Sequence, residues 1–288
     1  MKCRILALIM AMLLACSMSG VFAEESEGEW WNILLLGGDS RSTSDYGRTD
    51  TIIILSVNLD KSLVKMTSVM RDTWVSIPGH SSNKINAANV FGGPELAMEV
   101  INDNFGTEIE DYILVNMYDL VDIIDMVGGV DVEVTSAERK YVNSYAENYL
   151  KDISSYSGET SLNETGMVHL NGLLATAYCR IRYTDSDYVR VMRQQEVLLS
   201  VARQVQDMDV NDLMAIVDTL TEKISTNLEP EELKELSTAG LVMEIDDVEQ
   251  NRIPVDGTFK SGTFDGTWMI KPDFEKNAEL LHDFIYGD

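Results

Sequence analysis

Cysteine is almost missing from this 288-residue chain: Cys3 and Cys16 stand in its first stretch, and Cys179 is alone in the body. The body therefore has no partner for an intramolecular disulfide, and a chain without spare thiols is compatible with export. Histidine is as sparse. His80, His169 and His282 are too scattered for a zinc site. Positive charge is short too, with 22 Lys and Arg against 48 Asp and Glu and a formal net charge of −26. That balance argues against nucleic acid as a partner, because phosphate backbones recruit basic surfaces. The absence of a P-loop lysine motif speaks against nucleotide chemistry. Internal repeats, long linkers and breaks in composition are also missing, so the body reads as one domain.

A hydrophobic share of 45% is enough for a globular core. The scarce arginines are gathered rather than spread. Arg41, Arg48, Arg71, Arg180, Arg182, Arg190 and Arg193 fall in three short stretches. An acidic protein that concentrates its arginines is neutralising something anionic there, while the acidic remainder serves solubility.

Lys2 and Arg4 precede a charge-free run from Ile5 to Ala23, and Glu24 and Glu25 follow it. A basic start, an apolar core and Val21-Phe22-Ala23 form the signal-peptide arrangement. Three fates compete. Cleavage after Ala23 releases the body, lipidation of Cys16 uses the lipoprotein-like Leu13-Leu14-Ala15-Cys16, and retention leaves a membrane anchor near the ~20 residues that span a bilayer. In each case the positive residues stay cytoplasmic and the body is translocated. The expected location is the cell envelope outside the cytoplasm, either secreted or tethered to the outer face of the membrane.

The most informative stretch is Asn32–Asn58. Its apolar runs Ile33–Leu36 and Thr51–Val57 lack polar alternation and read as strands buried on both faces. The loop between them holds Asp39, Asp50, Arg41 and Arg48, with glycines at 37, 38 and 47 that let the backbone approach a ligand. Two carboxylates suit a hard cation such as Mg²⁺, which shares its oxygen ligands with substrate phosphates. Adjacent arginines suit the phosphates. The alternative is a solvated, salt-bridged surface loop.

Further along, Leu63–Val69 reads as a strand delivering Met70-Arg71-Asp72-Thr73 at its end, and Lys84 follows a Pro78-Gly79 turn. Gly92-Gly93-Pro94 opens a helix that Gly106 closes. Tyr112–Val115 predicts a strand, Tyr118–Val127 a helix, and Val130–Val134 a half-buried strand. Ser136–Glu164 is polar, with Tyr141, Tyr145 and Tyr149 at helical spacing. It reads as a surface helix and a lid-like loop whose tyrosines pack.

In Asn171–Gln195, Arg180 and Arg182 are two apart and would share one face of a strand, with Cys179 and Ile181 opposite. Asp185 and Asp187 precede a helix on which Arg190 and Gln194 share a face and Arg193 lies close by. A strand end and a helix start thus offer parallel forks for oxyanions. A purely structural salt-bridge network is the alternative. The remainder reads as helices to about Met208, at Val210–Ile224 and at Glu231–Ala239. A strand near Arg252–Val255, a Gly-rich turn, a strand at Thr267–Ile270 and a helix at Pro272–Tyr286 follow. Strands alternating with helices predict an α/β layered domain.

Taken in order, Gly-Gly-Asp39-Ser-Arg41, Arg48-Thr-Asp50-Thr, Met70-Arg71-Asp72-Thr73, Lys84-Ile-Asn-Ala-Ala, Gly93-Pro-Glu-Leu, Gly128-Gly-Val-Asp131-Val and the run from Arg180 to Gln194 resemble the LytR-CpsA-Psr family. The resemblance covers about residues 32–205. Together with the leader, it divides the chain into residues 1–23 as signal peptide or anchor, 24–31 as a short linker and 32–288 as one domain, with 206–288 completing the core motifs. It further implies a three-layer α/β/α domain with a central mixed sheet and an apolar pocket for a prenyl tail. The implied activity is an extracytoplasmic, Mg²⁺-dependent phosphotransferase of Gram-positive-type envelopes. It would move a glycopolymer (teichoic acid, capsule or another) from a polyprenyl-pyrophosphate carrier at the membrane surface to peptidoglycan.

Carried onto this sequence, the resemblance gives Asp39 and Asp50 to the metal and catalysis to Asp50 and Arg71. Arg48, Arg71, Lys84, Arg180, Arg182, Arg190 and Gln194 would grip the pyrophosphate, with Arg41 and Arg193 as lesser candidates. Two other readings use the same arginines: a non-catalytic binder of prenyl-phosphate lipids, and a pyrophosphatase with water as acceptor.

Overall fold

A computed structural model of the chain describes residues 30–40, 46–151, 153, 156–182, 187–220, 223–242 and 245–287. The leader at 1–23, Arg41, Asp185 and the side chain of Asp187 lie outside the described residues.

The apolar runs beside the first loop pair with each other. Strand β1 (Trp30–Gly38) is antiparallel to β2 (Thr49–Asn58), and β3 (Leu63–Val69) is antiparallel to β2 on its other side. Numbering in chain order, β6 (Asp111–Asn116) runs parallel to β1, and β9 (Ile224–Thr226) is antiparallel to β6. β10 (Glu249–Ile253) runs parallel to β3 at the opposite edge. The result is a mixed six-stranded sheet ordered β10-β3-β2-β1-β6-β9.

Successive residues of a strand face opposite sides, and here both sides are apolar. Leu34, Leu36, Ile52 and Ile54 pack under helices α1 (Ala88–Phe105) and α8 (Phe274–Tyr286) through Ile101, Phe105, Leu281 and Ile285. On the other side Ile53 and Met66 meet Leu199 of α5 (Asp187–Asp207). There Trp31 and Ile113 also meet Leu213 and Val217 of α6 (Val210–Leu220) and Leu233 of α7 (Pro230–Val242). Helices on both faces explain the unbroken apolar runs and give the three-layer α/β/α architecture that was expected.

A second apolar cluster stands beside the sheet. β7 (Val130–Val134) and β8 (Gly166–Leu170) pair antiparallel, packed by α2 (Met117–Met126), α3 (Ser136–Tyr149) and α4 (Gly172–Cys179). Val142, Ala146 and Tyr149 of α3 are buried in this cluster. The polar stretch is therefore a docked helix with one inner face. Its start is fixed by a capping box: Glu138 N donates to Thr135 Oγ1 at 3.3 Å, and Thr135 N to Glu138 Oε2 at 2.8 Å.

The main departure from the sequence reading is that Arg180 and Arg182 do not lie on a strand. All eight residues of α4 are buried, so Leu and Ala, good helix formers, display no polar face and hide the helical period. Asn171 Oδ1 starts the helix by accepting from Leu174 N at 3.0 Å, and Arg180 to Arg182 form the turn after it.

Smaller departures follow the same logic. The helix expected to reach Ile224 stops at Leu220, because residues 224–226 are taken as an edge strand by β6. α1 begins at Ala88, kinks at Gly92 and Gly93, and resumes at Pro94; Gly106 ends it with a φ of 67°. The strand at 267 has an unforeseen partner. β11 (Phe259–Phe264) pairs with β12 (Thr267–Pro272) across Asp265 and Gly266, whose φ values of 50° and 79° make a tight hairpin turn. Among the described residues no helix is long and apolar enough to cross a membrane.

Candidate functional site

β1, β3, β6 and β10 all end, and β2 begins, along one edge of the sheet. The residues singled out from the first loop and from the exit of β3 are carried to that edge. Gly37 pairs with Thr51 and Gly38 with Thr49, so Asp50 is the extra residue of a β-bulge. Bulges re-aim a side chain out of the ladder. A Cβ on Gly37 would stand 2.9 Å from Thr51 Cβ, so the bulged strands approach this closely only around a glycine.

Charges of alternating sign surround Asp50. Arg71 Nη1 donates to Asp50 Oδ1, and Arg182 Nη2 lies 4.0 Å from the same oxygen. Behind Arg71, its Nε stands 3.8 Å from Asp72 Oδ2, and Lys84 Nζ stands 2.6 Å from Asp72 Oδ1. Asp72 is buried and orients both bases. The sequence reading gave it no role, although it sits inside the Met70–Thr73 motif.

The loop frame is hydrogen-bonded. Arg48 Nη1 donates to Asn86 Oδ1 at 3.3 Å, Asn86 N to Arg71 O at 3.3 Å, and Asp39 N to Arg48 O at 2.9 Å. Ile270 N of β12 donates to Asp72 O at 3.0 Å, so the late hairpin props the loop that carries Arg71.

Arg180 reaches the site from the other side. Its Nη1 donates to Tyr149 Oη at 3.2 Å. Burial works against its charge, but Tyr149 and Asp50 more than offset that and raise its pKa. Burial pushes the Tyr149 phenol up to about 12 despite Arg180, so the hydroxyl stays protonated and donates to Met117 Sδ at 3.1 Å. A cleft of about 360 Å³ opens here, lined by Asp39, Arg180, Tyr118, Tyr145 and Tyr149 among others.

Three other residues are placed differently. Arg193 Nε donates to Glu138 Oε1 at 2.7 Å and Nη1 to Ile181 O at 3.3 Å, which makes it an internal brace. Gln194 Nε2 reaches Cys179 O at 3.5 Å, just behind Arg180, and Arg190 is buried one turn earlier on α5. The structure thus brings Asp39, Arg48, Asp50, Arg71, Lys84, Arg180 and Arg182 to one edge, with Arg190 and Gln194 in the wall behind.

Among the described residues no group of three or more His, Cys, Asp or Glu could hold a metal. Asp39 and Asp50 supply two hard oxygen donors, and the Asp50 side chain is 20% exposed. That set fits Mg²⁺ in its usual mode, in which one or two carboxylates are completed by waters and substrate phosphates.

Known proteins with this pattern are several. Over 216 residues, 72% of this chain and 62% of the other, it is 34% identical to the polyisoprenyl-teichoic acid–peptidoglycan teichoic acid transferase TagU of Oceanobacillus iheyensis. The chain thus spans less than two thirds of that relative's length. It is 32% identical to the biofilm regulatory protein A of Streptococcus mutans over 69% of this chain and 50% of that one. The fold matches the crystal structure of B. subtilis TagV with a TM-score of 0.70 at 24% identity, covering 90% of this chain and 98% of the other. It matches TagT bound to LI-WTA with a TM-score of 0.69 at 22% identity, covering 92% and 94%. The LytR_cpsA_psr family model matches residues 15–283, and the protein belongs to that family.

Proposed function

We propose that this protein is a phosphotransferase that moves a glycopolymer from a polyprenyl-pyrophosphate carrier to peptidoglycan at the cell envelope. The observation that carries this reading is the alternating array Lys84–Asp72–Arg71–Asp50–Arg182 at the sheet edge, beside an open cleft. Phosphoryl transfer needs charge neutralisation and positioning more than covalent chemistry. Arg71, Arg180 and Arg182 supply planar forks for pyrophosphate oxygens, and Arg48 and Lys84 add charge at the rim. The names of the TagU relatives support a teichoic acid as the polymer.

In the proposed reaction a sugar hydroxyl of peptidoglycan attacks the phosphorus nearest the glycopolymer. The new P–O bond makes a phosphodiester, the pyrophosphate P–O bond breaks, and polyprenyl phosphate leaves with the bonding electrons. Asp50, aimed out of the ladder by its bulge, takes the proton of the attacking hydroxyl. Arg71 holds the Asp50 carboxylate while facing the pyrophosphate. Mg²⁺ held by Asp39 and Asp50 would neutralise phosphate charge. An apolar run of pocket for the prenyl tail belongs to the same reading.

The test is turnover by the purified protein of a short polyprenyl-pyrophosphoryl glycan, with and without peptidoglycan oligomers. Glycan-linked product that disappears with chelator is expected. Release of phosphate-capped glycan into water alone would make the protein a pyrophosphatase, and tight binding without turnover would make it a lipid binder.

A further inference from the structure

Three successive residues of the edge strand β10 tie together two segments that bear on the site. Met70 N donates to Ile253 O at 2.9 Å, and Gln195 Nε2 of α5 donates to Asn251 O at 3.2 Å. Between them stands Arg252, whose side chain is 10% exposed. Its Nη1 donates to Met70 Sδ at 3.0 Å and to Pro254 O at 2.8 Å, and its Nη2 donates to Asp256 Oδ1 at 2.7 Å. Its guanidinium carbon lies 4.9 Å from the centroid of the Tyr188 ring and 6.0 Å from that of Phe259 on β11. Met70 directly precedes Arg71, and Tyr188 stands in the first turn of α5, just before Arg190.

A residue that only filled space here would be apolar. Arg252 Nε is buried with no acceptor among the described residues, a desolvation cost that leucine or methionine would avoid. What the guanidinium supplies instead is a plane with two faces for aromatic rings and donors at both ends of one rigid fork. That fork fastens the exit of β3 and the start of α5 to the same strand. The spacing between Arg71 and the wall formed by Arg190 and Gln194 therefore depends on it.

We propose that Arg252 is a positioning residue which, acting through Met70 and Tyr188, makes the site prefer a pyrophosphate over a monophosphate. A pyrophosphate presents two phosphate groups to forks on separate segments, so its grip depends on how those segments are spaced, whereas a monophosphate is served by one segment. The proposal rests on the phosphotransferase reading and deepens it: the departing polyprenyl phosphate is the weaker ligand, so the site clears after transfer.

The full chain in detergent is titrated with a short polyprenyl pyrophosphate and with the matching polyprenyl monophosphate. Arg252→Met and Tyr188→Ala should each weaken the pyrophosphate by about tenfold, the size of one misplaced charged hydrogen bond, and leave the monophosphate unchanged. Arg252→Lys should not restore the preference, because an ammonium has no plane to lie between two rings. Tyr188→Phe should keep it. The double variant should lose no more than either single one, since both break the same link. Arg203→Ala, which breaks an exposed pair with Asp246 at 2.9 Å further along α5, should change neither probe. Equal loss for both probes, or the same loss in Arg203→Ala, would make Arg252 a support of the fold alone and overturn the proposal, as would an unchanged preference. Tyr188→Ala, at an exposed ring, carries the test if Arg252→Met proves unstable. Binding is read without turnover, so a shifted preference in a protein that transfers nothing would sink the transferase reading and leave the positioning role standing.

Discussion

Arg193 donates its Nε–H to Glu138 Oε1 across 2.7 Å, with the two side chains only 3% and 11% exposed. Glu138 meanwhile closes the capping box of α3 through Thr135. One carboxylate thus joins a helix start in the side cluster to the helix that spans the main sheet. Removing one partner of a buried pair leaves a charge without compensation. Arg193→Ala should therefore cost about 3–5 kcal/mol of unfolding free energy in urea titration. Arg182→Ala, whose side chain is 42% exposed, should stay within about 0.5 kcal/mol. A near-neutral Arg193→Ala would return that residue to the binding surface.

The same carboxylate has a pH signature. Burial would raise the pKa of Glu138, but the Thr135 hydroxyl and amide and then Arg193 outweigh it and hold it below the ordinary 4.5. A group with a lowered folded pKa contributes stability above its unfolded value and loses it as pH falls through the folded value. Stability curves should therefore drop below about pH 4.5. That drop should be smaller in Glu138→Gln, and an identical acid limb in both proteins would contradict the assignment.

The sequence was most legible where one residue type had one physical use. The unbroken apolar runs of β1 and β2 announced a sheet covered on both faces, and Gly106 announced the end of α1. Asp39, Asp50, Arg71 and Lys84 were placed near strand ends by the turns around them. The rest depended on pairing. That Asp50 stands in a bulge follows only from the register between β1 and β2, and that Asp72 joins Arg71 to Lys84 follows only from the fold of two loops. α4 was misread because burial on every side erases periodicity. Asp265-Gly266 is a hairpin dipeptide that the sequence reading took only as part of a Gly-rich turn, so β11, the partner of β12, went unforeseen. The helical spacing of the tyrosines at 141, 145 and 149 predicts packing, and all three pack in or against the side cluster; that Tyr145 and Tyr149 also line a cleft is not visible in the spacing.

Cys179 offers a test of the packing around α4. Burial pushes its thiol up to about 12, so almost none is thiolate at neutral pH. In a Cys3→Ser, Cys16→Ser background it should resist an alkylating reagent at pH 8 in the native protein and react fully in denaturant. Labelling of the native protein at a free-thiol rate would place α4 at the surface.

Arg182 and Arg71 should separate by their partners. Arg182 lies 4.0 Å from Asp50, exposed enough to leave it for a ligand, whereas Arg71 is fixed between Asp50 and Asp72. Arg182→Ala should weaken binding of polyprenyl pyrophosphate by about tenfold, the size of one lost charged hydrogen bond. Arg182→Lys should recover only part of that, because the ammonium lacks the planar fork. Unchanged affinity in Arg182→Ala would place this arginine in the protein's own network.

Asp50→Asn separates holding the substrate from reacting it. The substitution keeps the shape at the bulge but removes the negative charge that Arg71 and Arg182 share. Those arginines then face the pyrophosphate with less internal compensation, so carrier binding should stay equal or tighten. The amide cannot take the proton of the attacking hydroxyl, and positioned proton transfer is worth about 10²–10⁴ in rate. Transfer to peptidoglycan oligomers should fall by at least about a hundredfold while equilibrium binding of the carrier persists. Full transfer by Asp50→Asn would remove it from the chemical step and leave Asp39 as the carboxylate to examine. Loss of binding together with transfer would mean that the bulge holds the arginines in place rather than aiming a base.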